Sequence, residues 1–319
     1  MITINYLTHH RNKVFWDISK YFFDKVKEEN KSKIRINILS TNNIEFELPN
    51  GIETNVISFE DNDLNYISKI RYSISQDTEY SVKLDEDCFI NNHIWDYMIE
   101  NVSILEDENN LAIAPILSNN IPLVDNFIEN FIIDSEVKGK IYKNFLNQNM
   151  PNGLWGVDYS PLNDYTINAD SWIPANFYDG VSKLNHFYKG IHPIRICANA
   201  QLILNKYILD NFNKLIEKNN YSLQEFSCPY YTNSIFLIKT QEWINILGTQ
   251  AFDAFDEVQF NTYKNTFNKK LFFVENGFAI HPTYNTIHNI NYNVWGIGLP
   301  DGKGYELDFT FDVAKKLGL

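Results

Sequence analysis

The stretch SVKLDEDCFI, residues 81–90, carries an apolar run into three consecutive acids, Asp85, Glu86 and Asp87. In an extended backbone, residues two apart point to one side, so Asp85 and Asp87 present paired carboxylates while Glu86 faces away. Two hard oxygen donors suit Mg2+ or Mn2+, ions that take one or two protein carboxylates and complete their shell with water and substrate phosphates. The pair therefore points to a diphosphate-bearing ligand. The same acids also read as a solvated turn ahead of a helix cap at Asn91 or Asn92, and an isolated DxD is common by chance.

Other chemistry-bearing residues cluster where predicted strands end. Thr8, His9, His10 and Arg11 follow a first strand over residues 2–7, a place for nucleotide contacts or an ordinary strand-to-helix loop. The acids Glu60, Asp61 and Asp63 end another strand, and Lys69 and Arg71 lie on the helix after it. Much later, Asp253, Asp256 and Glu257 sit near the start of a predicted helix over 256–268, where the helix dipole alone accounts for acids. His281 is a candidate metal or phosphate ligand, although a lone histidine is more often structural.

The elements that must position these groups follow from periodicity. Apolar steps of three and four predict a helix over 14–26 through Phe15, Ile18, Phe22 and Val26. Strands are expected at 2–7, 34–39, 55–59, 80–84 and 111–117. Helices fall between them, one with Leu64, Ile67, Ile70 and Ile74 on its face, another with Ile94, Trp95, Met98, Ile99 and Val102. Strands alternating with helices predict a mainly parallel sheet covered on both faces, a doubly wound α/β arrangement. Ligands of such sheets bind beyond the carboxyl ends of the strands, where the acids at 85–87 fall.

The second half reads as helix over 122–150, then a segment over 155–190 containing Trp155, Tyr159, Tyr165, Trp172, Phe177 and Tyr178 without periodicity. Such a stretch is a lid or binding loop whose rings stack on sugar or base faces, or a loop anchored to the core by its aromatics. Helix returns over 199–217, a strand over 234–238, and a short helix capped by Thr240 and stopped at Gly248. Residues 271–282 read as a β-hairpin turned by Asn276 and Gly277, and the tail ends in a short helix.

Composition excludes several classes. The chain has 319 residues, 44% hydrophobic and 15% aromatic, ample for a packed core. Its net charge of −13 opposes bulk binding to nucleic acid or anionic membrane. Cys88, Cys197 and Cys228 form no CxxC pair, so reduced thiols in a cytoplasmic protein are expected. No apolar run approaches a membrane span, and the first residues, MITINYLTHH, lack the pattern of a leader peptide. Neither GxGxxG nor GxxxxGK[ST] occurs at a strand-to-helix turn, leaving a metal as the expected diphosphate holder.

Taken together, SVKLDEDCF, LAIAPIL and WINILGTQAFDAFDEVQFN, with a strand ending in His281, resemble a GT-A glycosyltransferase of the inverting family 2-like group. The likeness spans about residues 2–282 on short motifs. It implies a GT-A-like doubly wound mixed sheet flanked by helices, with a carboxyl-terminal acceptor-side subdomain. Within one continuous domain, residues 1–120 would bind the nucleotide sugar and 121–319 the acceptor. Asp85 and Asp87 match the family's metal motif, and Trp243, Gly248, Phe252 and Asp253 match its helix-and-loop signature. Asp256 and Glu257 fall on the acidic dipeptide that supplies the base, with Glu257 favoured by position and Asp256 its competitor. The family usually reads Glu-Asp and has a tight Gly-Gly where this chain has Gly248-Thr249-Gln250-Ala251. Segment 155–190 has no counterpart.

The implied activity is metal-dependent transfer of a sugar, with inversion, from a nucleoside-diphosphate sugar to a hydroxyl acceptor such as a glycan or lipid-linked glycan. Mn2+ or Mg2+ on Asp85 and Asp87, with His281 as a further ligand, would hold the diphosphate. Arg11, Lys69 and Arg71 are assigned to phosphate, Asp61 to base or ribose, and Thr8 to the nucleotide. The implied location is cytoplasmic, with peripheral membrane association left open. Two alternatives remain at this level: a metal-dependent nucleotidyltransferase, which would normally carry a basic glycine-rich loop near its first strand, and a non-catalytic carbohydrate- or nucleotide-binding protein.

Overall fold

A computed structural model describes residues 1–8, 12–40, 45–59, 70–71, 74, 77–118, 124–146, 198–226, 231, 234–248, 256–282 and 302–319. The strands are β1 Ile2–Leu7, β2 Ile34–Ser40, β3 Glu53–Ser58, β4 Tyr80–Asp85, β5 Asn110–Leu117, β6 Ser222–Phe226, β7 Ile235–Lys239 and β8 Lys270–Ala279. They form an 8-stranded sheet in the order β3-β2-β1-β4-β7-β5-β8-β6. β7 runs antiparallel between β4 and β5, and β6 antiparallel beside β8; the β1–β2, β1–β4, β2–β3 and β5–β8 pairs are parallel. The fold is thus α/β with a mixed sheet flanked by helices, compatible with a Rossmann-like arrangement.

Register divides the sheet into two faces. Tyr6 pairs with Leu84 and Ile4 with Val82. On Tyr6's side lies α1, Lys13–Asp24, whose Trp16 ring meets Tyr6 edge-on at 5.0 Å. Its amino end is capped by Asn12, which accepts from the Val14 N–H at 3.0 Å. Helix α2, Glu28–Lys31, follows, and α3, Asn92–Glu100, packs its Trp95 on Phe23 of α1 at 5.3 Å. Asn91 caps α3 by accepting from Ile94 N–H, which selects it over Asn92 as the cap.

The opposite face carries Thr3, Asn5, Ser81, Lys83 and Asp85, an unusually polar surface for a buried sheet. Asparagines at matching register cross it in a ladder: Asn55 donates to Asn37, Asn37 to Asn5, and Asn5 to the Val82 carbonyl. Each amide satisfies the next, which removes the desolvation penalty of burying them singly. Phe236 of β7 is Lys83's register partner, so it projects from this side too. There it meets Trp243 of α8, Thr240–Gly248, at 5.4 Å and Phe260 of α9, Asp256–Thr266, at 4.8 Å.

Besides a 3-10 helix, Val102–Glu106, and helical residues 70–71, the remaining described helices are α4 Val124–Phe131, α5 Ser135–Leu146, α6 Ala198–Asp210, α7 Phe212–Ile216 and α10 Gly302–Leu317. The single helix expected over 199–217 is two, broken at Asn211. The short terminal helix is a full 16-residue α10 that packs on α1. No described helix is long and apolar enough to cross a membrane.

The predicted hairpin over 271–282 is corrected: the chain does not reverse at Asn276 and Gly277 but continues as one strand with a bulge. Val274 pairs with Pro115 and the next pair is Phe278 with Ile116, both in the parallel sense, so residues 275–277 are extra. Asn276 takes the left-handed conformation, φ 61°, and its Nδ2 donates to the Asn220 carbonyl at 3.0 Å. The Asn-Gly pair thus supplies the positive φ of a bulge rather than of a tight turn.

Candidate functional site

β1 leads to β2 on one side of the sheet while β4 lies on the other, which makes the β1–β4 seam the point where strand order reverses and ligands collect. At this carboxyl edge β4 ends at Asp85, and the chain turns at once: the Cys88 N–H donates to the Asp85 carbonyl at 3.1 Å. The extended geometry expected to place Asp85 and Asp87 on one side therefore stops at Asp85. Glu86, expected to face away, is 1% exposed and accepts from the Thr8 hydroxyl at 2.8 Å, while its N–H donates to the Leu7 carbonyl at 3.0 Å. Thr8 likewise points into the β1–β4 seam, and its hydroxyl serves Glu86.

The turn delivers Asp87 to His281. Asp87 Oδ1 lies 3.7 Å from His281 Nε2, and both side chains are buried. The juxtaposition is held by backbone: Phe89 and Ile280 exchange a pair of hydrogen bonds at 2.8 and 2.9 Å. Ser118, just past β5, accepts from the His281 N–H at 3.0 Å, and Ser234, just before β7, places its hydroxyl 3.0 Å from Nε2. The Ser234 carbonyl also accepts from Asp85 N–H at 3.0 Å. Segments distant in sequence converge here because each enters or leaves the same edge of one sheet.

Asp85 makes an ion pair of its own. Its carboxylate is held by the Lys83 ammonium, with Nζ 3.1 Å from Oδ1 and 3.2 Å from Oδ2. Lys83 is 2% exposed, and an ammonium so deep in a sheet is tolerated when it is paired. Among the described residues no group of three or more His, Cys, Asp or Glu side chains is placed to hold one ion. Two of the three expected metal ligands, Asp87 and His281, therefore stand together, and the third is engaged by a lysine.

A divalent ion fits the pair. Bonds of ~2.1 Å to oxygen and nitrogen let one ion bridge atoms up to ~4 Å apart, and the observed separation is within that reach. Among the described residues the set differs from a serine hydrolase's relay. Ser234 and Asp87 both approach Nε2, whereas a proton relay needs its nucleophile and its orienting acid on opposite ring nitrogens.

Surrounding groups are kept out of acid–base work. Burial pushes the Cys88 thiol well above its usual range, reinforced by Asp87 and Asp85, so it stays protonated. Burial does the same to the Tyr6 phenol, with Glu86 the next cause.

Asp256 and Glu257 occupy the first positions of α9, the helix whose Phe260 packs on Phe236; their side chains lie outside the described residues. Arg71 occupies a helical position and is exposed. Arg11, Asp61, Lys69, Phe252, Asp253 and the aromatic segment 155–190 lie outside the described residues. Sequence reasoning missed Ser118, Ser234 and Lys83. The serines had a signal, as small polar residues flanking the strand runs LAIAPIL and SIFLI. Lys83 had a stronger one, as a lone charge in an otherwise buried strand, two residues before an acid.

No family model matches the chain, and no curated protein matches it in sequence.

Proposed function

We propose that this chain is a metal-dependent glycosyltransferase of GT-A type, moving a sugar from a nucleoside-diphosphate donor to a hydroxyl acceptor. The observation that carries the reading is the Asp87–His281 pair at the carboxyl edge of the sheet, beside the strand-order reversal.

Asp87 and His281 would hold Mn2+ or Mg2+, which when bound offsets the charge of a leaving diphosphate. Ser118 fixes the backbone that bears His281, and the Ser234 hydroxyl would leave Nε2 to the ion. Glu257, with Asp256 as its competitor, takes the acceptor hydroxyl proton on the far side of the sugar, so displacement proceeds with inversion.

The test is incubation with separate nucleoside-diphosphate sugars and nucleoside triphosphates, each with Mn2+. Slow release of nucleoside diphosphate from one sugar donor, lost in Asp87→Asn and His281→Ala, is the expected result. Pyrophosphate release from a triphosphate would replace this reading with nucleotidyl transfer, and no turnover with retained sugar binding would replace it with a binding protein.

A further inference from the structure

Lys83 has no assigned task, yet among the described residues it is the most deeply enclosed lysine or arginine. It lies between Asn5 and Phe236 at the same register, and Asp85 receives its ammonium through both oxygens. Sheet geometry explains the pairing: residues two apart on β4 share a face, and Asp85 is the last residue before the turn. The side chain is enclosed by strands on both sides, so its charge cannot be dispersed into solvent as a surface lysine's is.

We propose that Lys83 is a positioning residue that sets the charge of the cation site, making it a receptor for a metal-bound diphosphate rather than for the metal alone. This rests on the glycosyltransferase reading above and deepens it. By holding Asp85, Lys83 leaves Asp87 and His281 as the principal ion ligands. It also adds one positive charge to the site whatever the other groups contribute. A divalent ion is held less tightly for that reason, and the same charge remains to meet the anion that follows it.

The two effects have opposite signs, which separates them from a structural role. In Lys83→Met, which removes the charge, Mn2+ alone should bind ~10-fold more tightly, because a like charge is gone. UDP or GDP measured at saturating Mn2+ should bind ~10-fold more weakly. Lys83→Arg should stay near wild type in both. Calorimetry on the full-length chain reads both constants, and Lys83→Gln provides the same comparison should the Met variant fold poorly.

Equal constants in wild type and variant, or constants that weaken together, overturn the role of Lys83 while leaving the glycosyltransferase reading standing. A wild-type chain that binds neither Mn2+ nor either nucleotide overturns both.

Discussion

Asn261 of α9 grips the backbone of Tyr231 with both ends of its amide: the Tyr231 N–H donates to Oδ1 at 2.7 Å, and Nδ2 donates to the Tyr231 carbonyl at 2.8 Å. Asn261 is buried, and the Tyr231 ring packs on Phe260 of the same helix at 6.0 Å. This clamp ties the helix that starts with Asp256 and Glu257 to the chain three residues before Ser234, the contact of His281.

Asn261→Ala removes both of these bonds from buried backbone groups, a loss of roughly 2–3 kcal/mol. Urea unfolding should show that decrease, and amide exchange at Tyr231 should accelerate. An unchanged exchange rate would mean that the ring packing alone holds the helix.

The bulge in β8 makes a second prediction. A Cβ at Gly277 would lie 2.7 Å from Val274 Cγ1 and 3.2 Å from Ile94 Cγ1, and Val274 and Ile94 are both fully buried. Gly277→Ala is therefore expected to lose about 1–3 kcal/mol by overpacking. Asn276→Gly, at a left-handed position that glycine accepts freely, should lose less than about 1 kcal/mol, mostly the exposed bond to Asn220. Denaturation midpoints compare the two, and equal losses would contradict the bulge geometry.

The acid limb of stability is predicted from Glu100. A hydrogen bond from Lys27, then one from Asn30, holds its carboxyl below the usual glutamate range. A carboxyl with a folded pKa below its unfolded one adds stability that is fully present above the unfolded value, ~4.3, and is lost as pH falls through the folded one. Glu100 is partly exposed and solvent screens the pair, so the increment is roughly a few tenths of a kcal/mol. Glu100→Gln should show that small deficit at pH 7, and it should fade as pH falls through the lowered pKa of Glu100. A deficit that persists in acid would trace to packing instead.

Much of this architecture is legible without coordinates. β1, β2, β4, β5 and β7 fall within a residue or so of their expected bounds, because buried strands read as short apolar runs between turn residues. α1 and α3 follow from apolar steps of three and four, and the cap of α3 from the pair Asn91-Asn92. β6 was not legible: SLQEF is a half-exposed edge strand with no alternating apolar pattern, and only its pairing with β8 defines it.

The site divides along the same line. By itself the sequence determined that acids end β4 and that His281 follows a strand, since residue type and local period are properties of a few neighbouring positions. Only the tertiary structure decided that β7 inserts antiparallel between β4 and β5, that Asn276-Gly277 is a bulge, and that Asp87 meets His281 while Asp85 meets Lys83. Those outcomes depend on strand order and register, which are settled by hydrogen bonds between segments far apart in the chain. A one-residue change of register would turn each of those side chains to the other face.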